Sequence, residues 1–351
     1  MNPLHSRTII CLLALLISSH VNVTWSAQFL WQTNNDSDDI WVYDLETGTV
    51  VKKIEVGPAP HGISKPPNLD LVYATVEFAR PAGEVVAIDT TTLSISKRWQ
   101  VCEEPENLAT STNGHWLFIP CKNGTYQVLD TRVGEIVKEI HTGGQPHNTI
   151  ASHDGRMFLA PVGEPKAVTV VDSNNGHTTL GRIHFSGQVR PLALLPSRNL
   201  LLQQVNNTWG FETASTETFE QTGAVLHSNG GSLLWDLQNL VNRISWKIGQ
   251  GQVFDVPYCH GLAVRPDELE VWALCGANLY IHSATESAFQ EIAHIPLPGI
   301  GYWLTFSPDS QIAAIALPEN DQVAIFNAQS HALLRTLGSG KGPKRNLIIA
   351  H

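Results

Sequence analysis

The chain has 351 residues, a formal charge of −10, 42% apolar residues and only 15% charged ones. That length suits two ordinary domains or one large all-β domain, with enough apolar material for a full core. Net acidity without a basic block argues against a nucleic-acid partner, because phosphate recognition needs clustered Lys and Arg.

Residues 1–27 read as a secretory signal peptide. A short basic start ending at Arg7 precedes an apolar run from Ile9 to Ile17, and Ser26-Ala27 offers a cleavage site. The run is too short to span a bilayer, and no later stretch is long enough either. A periplasmic or secreted protein, not inserted in a membrane after cleavage and monomeric, is therefore expected. Four cysteines follow the signal: Cys102, Cys121, Cys259 and Cys275. An even count in an exported chain favours disulfides over free thiols.

The remaining chain, 28–351, repeats. The residue just before each recurring apolar strand is His61, Glu106, His147, Arg190, His260, Tyr302 and Arg345, at spacings of 45, 41, 43, 70, 42 and 43. Within a unit come an apolar strand such as Leu262-Ala263-Val264 and a turn such as Asp154-Gly155. A strongly apolar strand such as Trp116-Leu117-Phe118-Ile119 follows, then an alternating strand ending near Asp89, Asp130 or Asp172. A fourth strand leads to the next unit. Four strands in a period of the low forties select a β-propeller over a sandwich or barrel. The chain starts with three strands of a unit (Phe29 to Val56) and ends with a lone first strand at Arg345 to Ala350. Pairing these closes a ring of seven four-stranded blades and removes the exposed edges.

The stretch Tyr43-Asp44-Leu45-Glu46-Thr47-Gly48 through Val56-Gly57 and Pro60-His61-Gly62-Ile63 resembles the repeat of the YVTN-type β-propeller family. The likeness covers nearly all of the mature chain, although the tetrapeptide that names the family is replaced by Tyr73-Ala74-Thr75-Val76. It implies the propeller fold and leaves function open, since such propellers serve as binders, scaffolds and enzymes.

In a propeller the seven anchors ring one mouth of the central channel. His61, Glu106 and His147, from blades 2, 3 and 4, are the expected ligands of a divalent metal, zinc or copper. Arg190, Arg345, Tyr302 and His260 are expected to hold the rest of a ligand, the arginines through charge-assisted hydrogen bonds to an anion. A structural alternative, in which the Pro-His-Gly histidine caps the strand, stands beside this reading. Strand register predicts the bridges Cys102–Cys121 and Cys259–Cys275; a Cys259–His260 metal site is the rival. The 70-residue spacing carries about 27 surplus residues, expected as an insertion over about 206–231 between the second and third strands of blade 5. There Trp209, Phe211 and Phe219 suggest a lid.

No nucleophile elbow, P-loop, dinucleotide fingerprint or haem-attachment motif is present, so no catalytic residue is assigned. Three functions follow from these residues. The first is an exported binding protein, carrier-like, with a metal ion or small anion at the channel mouth. The second is a metal-assisted lyase or lactonase-like enzyme, and the third a scaffold with a protein partner on the same face.

Overall fold

A computed structural model describes residues 28–206, 208–228 and 259–350. The expected signal peptide lies outside these residues. Seven four-stranded antiparallel sheets are arranged as the blades of a β-propeller. Blade 1 joins the two ends of the chain: Pro343–Ala350 is its inner strand, followed outward by Gln28–Asn34, Asp39–Asp44 and Val50–Glu55. Each later blade is four consecutive strands. Blade 2, for example, runs Pro60–Ser64, Leu71–Val76, Glu84–Asp89 and Ser94–Gln100.

Strand periodicity explains where the core sits. Successive side chains of a strand point to opposite faces, and each face of a blade packs on a neighbouring blade. In blade 1, Leu30 and Tyr43 pack against Ala314, Val323 and Ile325 of blade 7. The adjacent Trp31 and Val42 pack against Val72, Ala74 and Val86 of blade 2. Similar seams join blades 2 and 3, 3 and 4, 4 and 5, 5 and 6, and 6 and 7. The second strands are therefore apolar on both sides, which is why Val72, Tyr73 and Ala74 read as one uninterrupted run. The fourth strands are mostly exposed, as Val50–Glu55 is, and carry charges such as Lys52 and Lys53 on the free edge.

The recurring aspartates are turn residues. Oδ1 of Asp44 accepts the backbone N–H groups of Glu46 and Thr47, and Asp89 does the same for Thr91 and Thr92. Blade 7 uses Asn327 and blade 5 uses the Ser215 hydroxyl in the same place.

One expectation is corrected. The stretch expected as an insertion over about 206–231 holds blade strands where it is described: Gly210–Ser215 and Gln221–Leu226 are the third and fourth strands of blade 5. Phe211 is fully buried against Phe289 and His282 of blade 6, so it belongs to the core and not to a lid. Glu212 disguised this strand. It is buried because it accepts hydrogen bonds from the Ser186 backbone N–H, the Ser186 hydroxyl and Gln221. The surplus residues fall instead between Leu226 and Cys259, where 229–258 lie outside the described residues.

Ring closure makes a clear prediction. Deleting residues 343–351 removes the inner strand of blade 1, unpairs Gln28–Asn34 and opens the seams that Leu347, Ile348 and Ile349 fill. The truncated chain is expected to elute as aggregate in size-exclusion chromatography, and the chain that keeps these residues as a discrete species.

Candidate metal centre at the channel mouth

Six of the seven anchor residues sit where the inner strand loses register with the second strand; Tyr302, just before the regularly paired Trp303–Phe306, is the exception. In blade 2, Pro60 pairs with Val76 and Ile63 with Ala74, so three steps on one strand match two on the other. The same extra residue occurs around His147, Arg190, His260 and Arg345. In blade 3, Pro105 bridges Cys121 while Ala109 pairs with Phe118, which places Glu106 in an equivalent gap. A β-bulge of this kind bends the strand and re-aims its side chain, here toward the channel.

A bulge leaves backbone groups without ladder partners, and buried ones must be satisfied. Polar residues of the second strands do this. Thr75 Oγ1 accepts the Gly62 N–H at 2.7 Å and donates to the Glu106 carbonyl at 2.9 Å. Thr33 Oγ1 accepts the Arg345 N–H at 3.0 Å, and the amide of Gln32 donates to the Arg345 carbonyl at 3.0 Å. Gln204 both accepts the Gly261 N–H and donates to the Gly261 carbonyl.

Gly62 is required by close approach. A Cβ there would lie 2.7 Å from the Glu106 carbonyl oxygen and 2.8 Å from the Leu108 nitrogen, both backbone atoms of blade 3. This contact sets how near His61 and Glu106 come. The substitution Gly62→Ala should therefore destabilise the fold by about 1–3 kcal/mol, the usual range for overpacking. Urea unfolding of the variant measures this.

The structure brings together the three residues expected as metal ligands. Glu106 Oε2 lies 2.8 Å from His61 Nδ1 and 3.0 Å from His147 Nδ1. It forms no well-directed hydrogen bond with either ring. A fourth member, Glu77, makes a short contact with His61 Nδ1 through Oε1. Donor atoms of His61, Glu77 and Glu106 all lie within 4.8 Å of one another. Glu77 is one residue past the second strand of blade 2. In a propeller the loop after each second strand lies on the same face as the anchors, a signal that would have found it.

Tyr302 and His260 close the other side. Tyr302 Oη is 3.2 Å from His61 Nε2, its carbonyl is 2.9 Å from His260 Nδ1, and its ring stacks on His260 at 4.2 Å. The His61 and His147 ring centroids are 6.0 Å apart, and those of His147 and His260 6.3 Å. Arg345 is buried, with its guanidinium 3.6 Å above Trp303 and Nη2 bonded to Asn148 Oδ1 at 2.7 Å. Its Nε and Nη1 have no hydrogen-bond partner among the described residues. Arg190, on the inner strand of blade 5, donates from Nε to Asn206 Oδ1 just past the second strand of the same blade.

Electrostatics divide the histidines. Burial opposes the charging of His61, but Glu106 and Glu77 outweigh it and hold the pKa above the usual imidazole value. Burial works against Glu106 ionising too, yet the close approach and charge of the His147 and His61 rings hold it well below the carboxylate range. His147 is lowered by burial, against the pull of Glu106, and His260 well lowered by burial and by the Arg345 charge. Burial draws Arg345 down to about 10, which leaves it cationic at neutral pH.

Because its folded pKa is depressed, Glu106 contributes stability above its ordinary value of 4.5 and loses it as pH falls from there. His61, with a raised pKa, contributes fully below its ordinary 6.5 and loses this as pH rises through the folded value. Glu106→Gln should thus differ most from wild type between these limits. The gap in urea midpoint should narrow below pH 4.5, measured with chelator present.

Both disulfides form as strand register predicts. Cys102 joins Cys121, and Cys259 joins Cys275, its direct cross-strand partner. The Cys259–His260 pairing does not form, since neighbouring residues of a strand point apart and His260 turns to Tyr302.

No family model matches the chain. Protein NirF of Pseudomonas aeruginosa is 21% identical over 278 residues, covering 67% of this chain and 70% of that protein. Among solved structures, the dihydro-heme d1 dehydrogenase NirN in complex with DHE superposes with a TM-score of 0.61 at 12% identity. The match covers 91% of this chain and 74% of NirN. The periplasmic gluconolactonase PpgL of Pseudomonas aeruginosa gives a TM-score of 0.73 at 14% identity, covering 92% and 99%. At such identities these likenesses show the seven-bladed propeller fold alone.

Proposed function

We propose that this protein is an exported propeller that binds a divalent metal ion, zinc or copper, at the channel mouth and carries it. His61, Glu77, Glu106 and His147 are the ligands. The observation that carries this reading is Glu106 Oε2, held within 3.0 Å of two imidazole nitrogens without a well-directed hydrogen bond to either.

Geometry and charge both suit an ion there. Zinc bonds to His and Glu of about 2.0 Å imply ligand separations of roughly 3.3 Å in a tetrahedron. The contacts of 2.8 and 3.0 Å to Glu106 need open by only a few tenths of an ångström, while His147, outside the compact His61–Glu77–Glu106 group, must swing toward the ion. Without metal, two carboxylates surround one imidazolium and leave a net negative charge. A divalent ion replacing that proton makes the cluster neutral, which lowers the cost of burying it. Tyr302 then fixes the tautomer: His61 keeps its proton on Nε2, facing Tyr302 Oη, and presents Nδ1 to the ion. Arg345, with two unpartnered donors, suits an anionic co-ligand.

A second reading rests on the likeness to NirF and to NirN bound to DHE. In it the metal arrives inside an iron tetrapyrrole with acidic substituents, His147 is its protein ligand, and the rim cations Arg345, Arg190 and Lys344 meet the acids. Export of the chain is part of both readings. The N-terminal segment supports it, and no helix among the described residues is long and apolar enough to cross a membrane.

Metal analysis of untagged protein tests the first reading. About one zinc or copper per chain is expected, and His61→Ala combined with His147→Ala should weaken binding at least a hundredfold in competition titrations. Absence of metal, with no rise in melting temperature on adding zinc or copper, would overturn it. Addition of haem separates the second reading: a shifted visible absorption spectrum, lost in His147→Ala, supports it.

A further inference from the structure

A second cluster lies behind the same strand. His227 follows the outer strand of blade 5 and is only 3% exposed. Its ring stacks on Tyr280 at 4.2 Å and 3°. Trp209 covers the same place, donating from Nε1 to Tyr280 Oη at 3.1 Å and packing on Cys259, Cys275 and Tyr280. A ring nitrogen of His227 and the two sulfurs of Cys259 and Cys275 lie within 4.8 Å of one another.

Hydrogen bonds decide which nitrogen is available. His282 Nδ1 is 2.8 Å from the Phe289 carbonyl, which only accepts, so Nδ1 carries the proton and Nε2 the lone pair. His282 Nε2 is 2.9 Å from His227 Nδ1, which must therefore donate. That leaves His227 Nε2 deprotonated and buried, with no hydrogen-bond partner among the described residues. A buried acceptor left unmatched is costly, because it has lost its hydrogen bonds to water. A carbonyl–imidazole–imidazole chain that orients one free ring nitrogen is how proteins prepare a metal ligand. The nearby group His227, His282 and Glu291 needs no ion, because the two rings bond each other and both Glu291 oxygens are taken by Ser228.

We propose that His227, Cys259 and Cys275 form a second, redox-gated site, which in its dithiol form holds one thiophilic ion, zinc(II) or copper(I). Closure of the disulfide expels that ion. Strand pairing keeps the two cysteines opposed whether or not their sulfurs are bonded. An external dithiol opens the bridge by exchange; it supplies two electrons and two protons and leaves as its own disulfide. The ion then displaces both thiol protons to solvent and takes two thiolates and His227 Nε2, its fourth position open to a solvent oxygen. In the reverse direction a disulfide-bearing oxidant takes the two electrons, the sulfurs rejoin and the ion departs. This site is independent of the channel-mouth reading.

Cobalt(II) and zinc(II) added to the full mature chain, reduced with a phosphine, test the proposal. Thiolate-to-metal charge-transfer absorption that saturates at one cobalt per chain is expected in the reduced chain, and no such band in the oxidised chain. The band should persist in Cys102→Ser/Cys121→Ser and in His61→Ala/His147→Ala, and vanish in Cys259→Ser/Cys275→Ser. His227→Ala should weaken binding at least tenfold, and His282→Ala, a positioning residue, about tenfold. Circular dichroism follows folding throughout. The proposal is overturned if the reduced folded chain shows no such band, or if the band is unchanged in His227→Ala or depends on Cys102 and Cys121 instead. A reduced chain that is unfolded and regains no structure with zinc overturns it equally.

Discussion

The extra residue at the start of the inner strands is the constraint on which the channel mouth depends. A regular ladder would send alternate side chains into the two inter-blade seams. In blades 1 to 6 the bulge lets one side chain point along the channel instead, at the cost of unpaired backbone groups. Thr33, Thr75, Gln32 and Gln204 satisfy those groups from buried positions in the second strands. Their polarity inside an apolar core thus serves the shape of the channel mouth.

The same arrangement sets the electrostatics. Seven inward side chains in a narrow ring cannot all be solvated, so each is stabilised or penalised by its neighbours. His61 lies between two carboxylates and favours its charged form, while His260, close to Arg345 and stacked on Tyr302, favours the neutral one. The ring is divided into a carboxylate–imidazole half on blades 2 to 4 and an aromatic–cationic half on blades 1, 6 and 7. Such a division suits a ligand with a positive centre and a negative partner, because each half compensates the other's charge.

The propeller itself was legible before any coordinates. Equal spacings, aspartate turns and doubly apolar second strands are local signals, and each has a local cause. The disulfides followed because register is a sheet property that one bulge shifts predictably. Blade 5 was misread where a buried carboxylate, Glu212, broke the apolar pattern. Its burial depends on Ser186 in the preceding blade-connecting segment, a partner that no local pattern reveals.

Sequence alone determined the blade count, the ring of seven anchors and the pairing of the cysteines, because these depend on periodicity and order along the chain. Only the tertiary structure decided which anchors meet. His61, Glu106 and His147 converge, Arg345 turns under Trp303, and Arg190 bonds Asn206. Glu77 joins the first group and His227 approaches the second disulfide. These are distances between residues from separate strands, set by blade packing and bulge geometry. Spacing along the chain put His61, Glu106 and His147 on neighbouring blades, but it carries none of these distances.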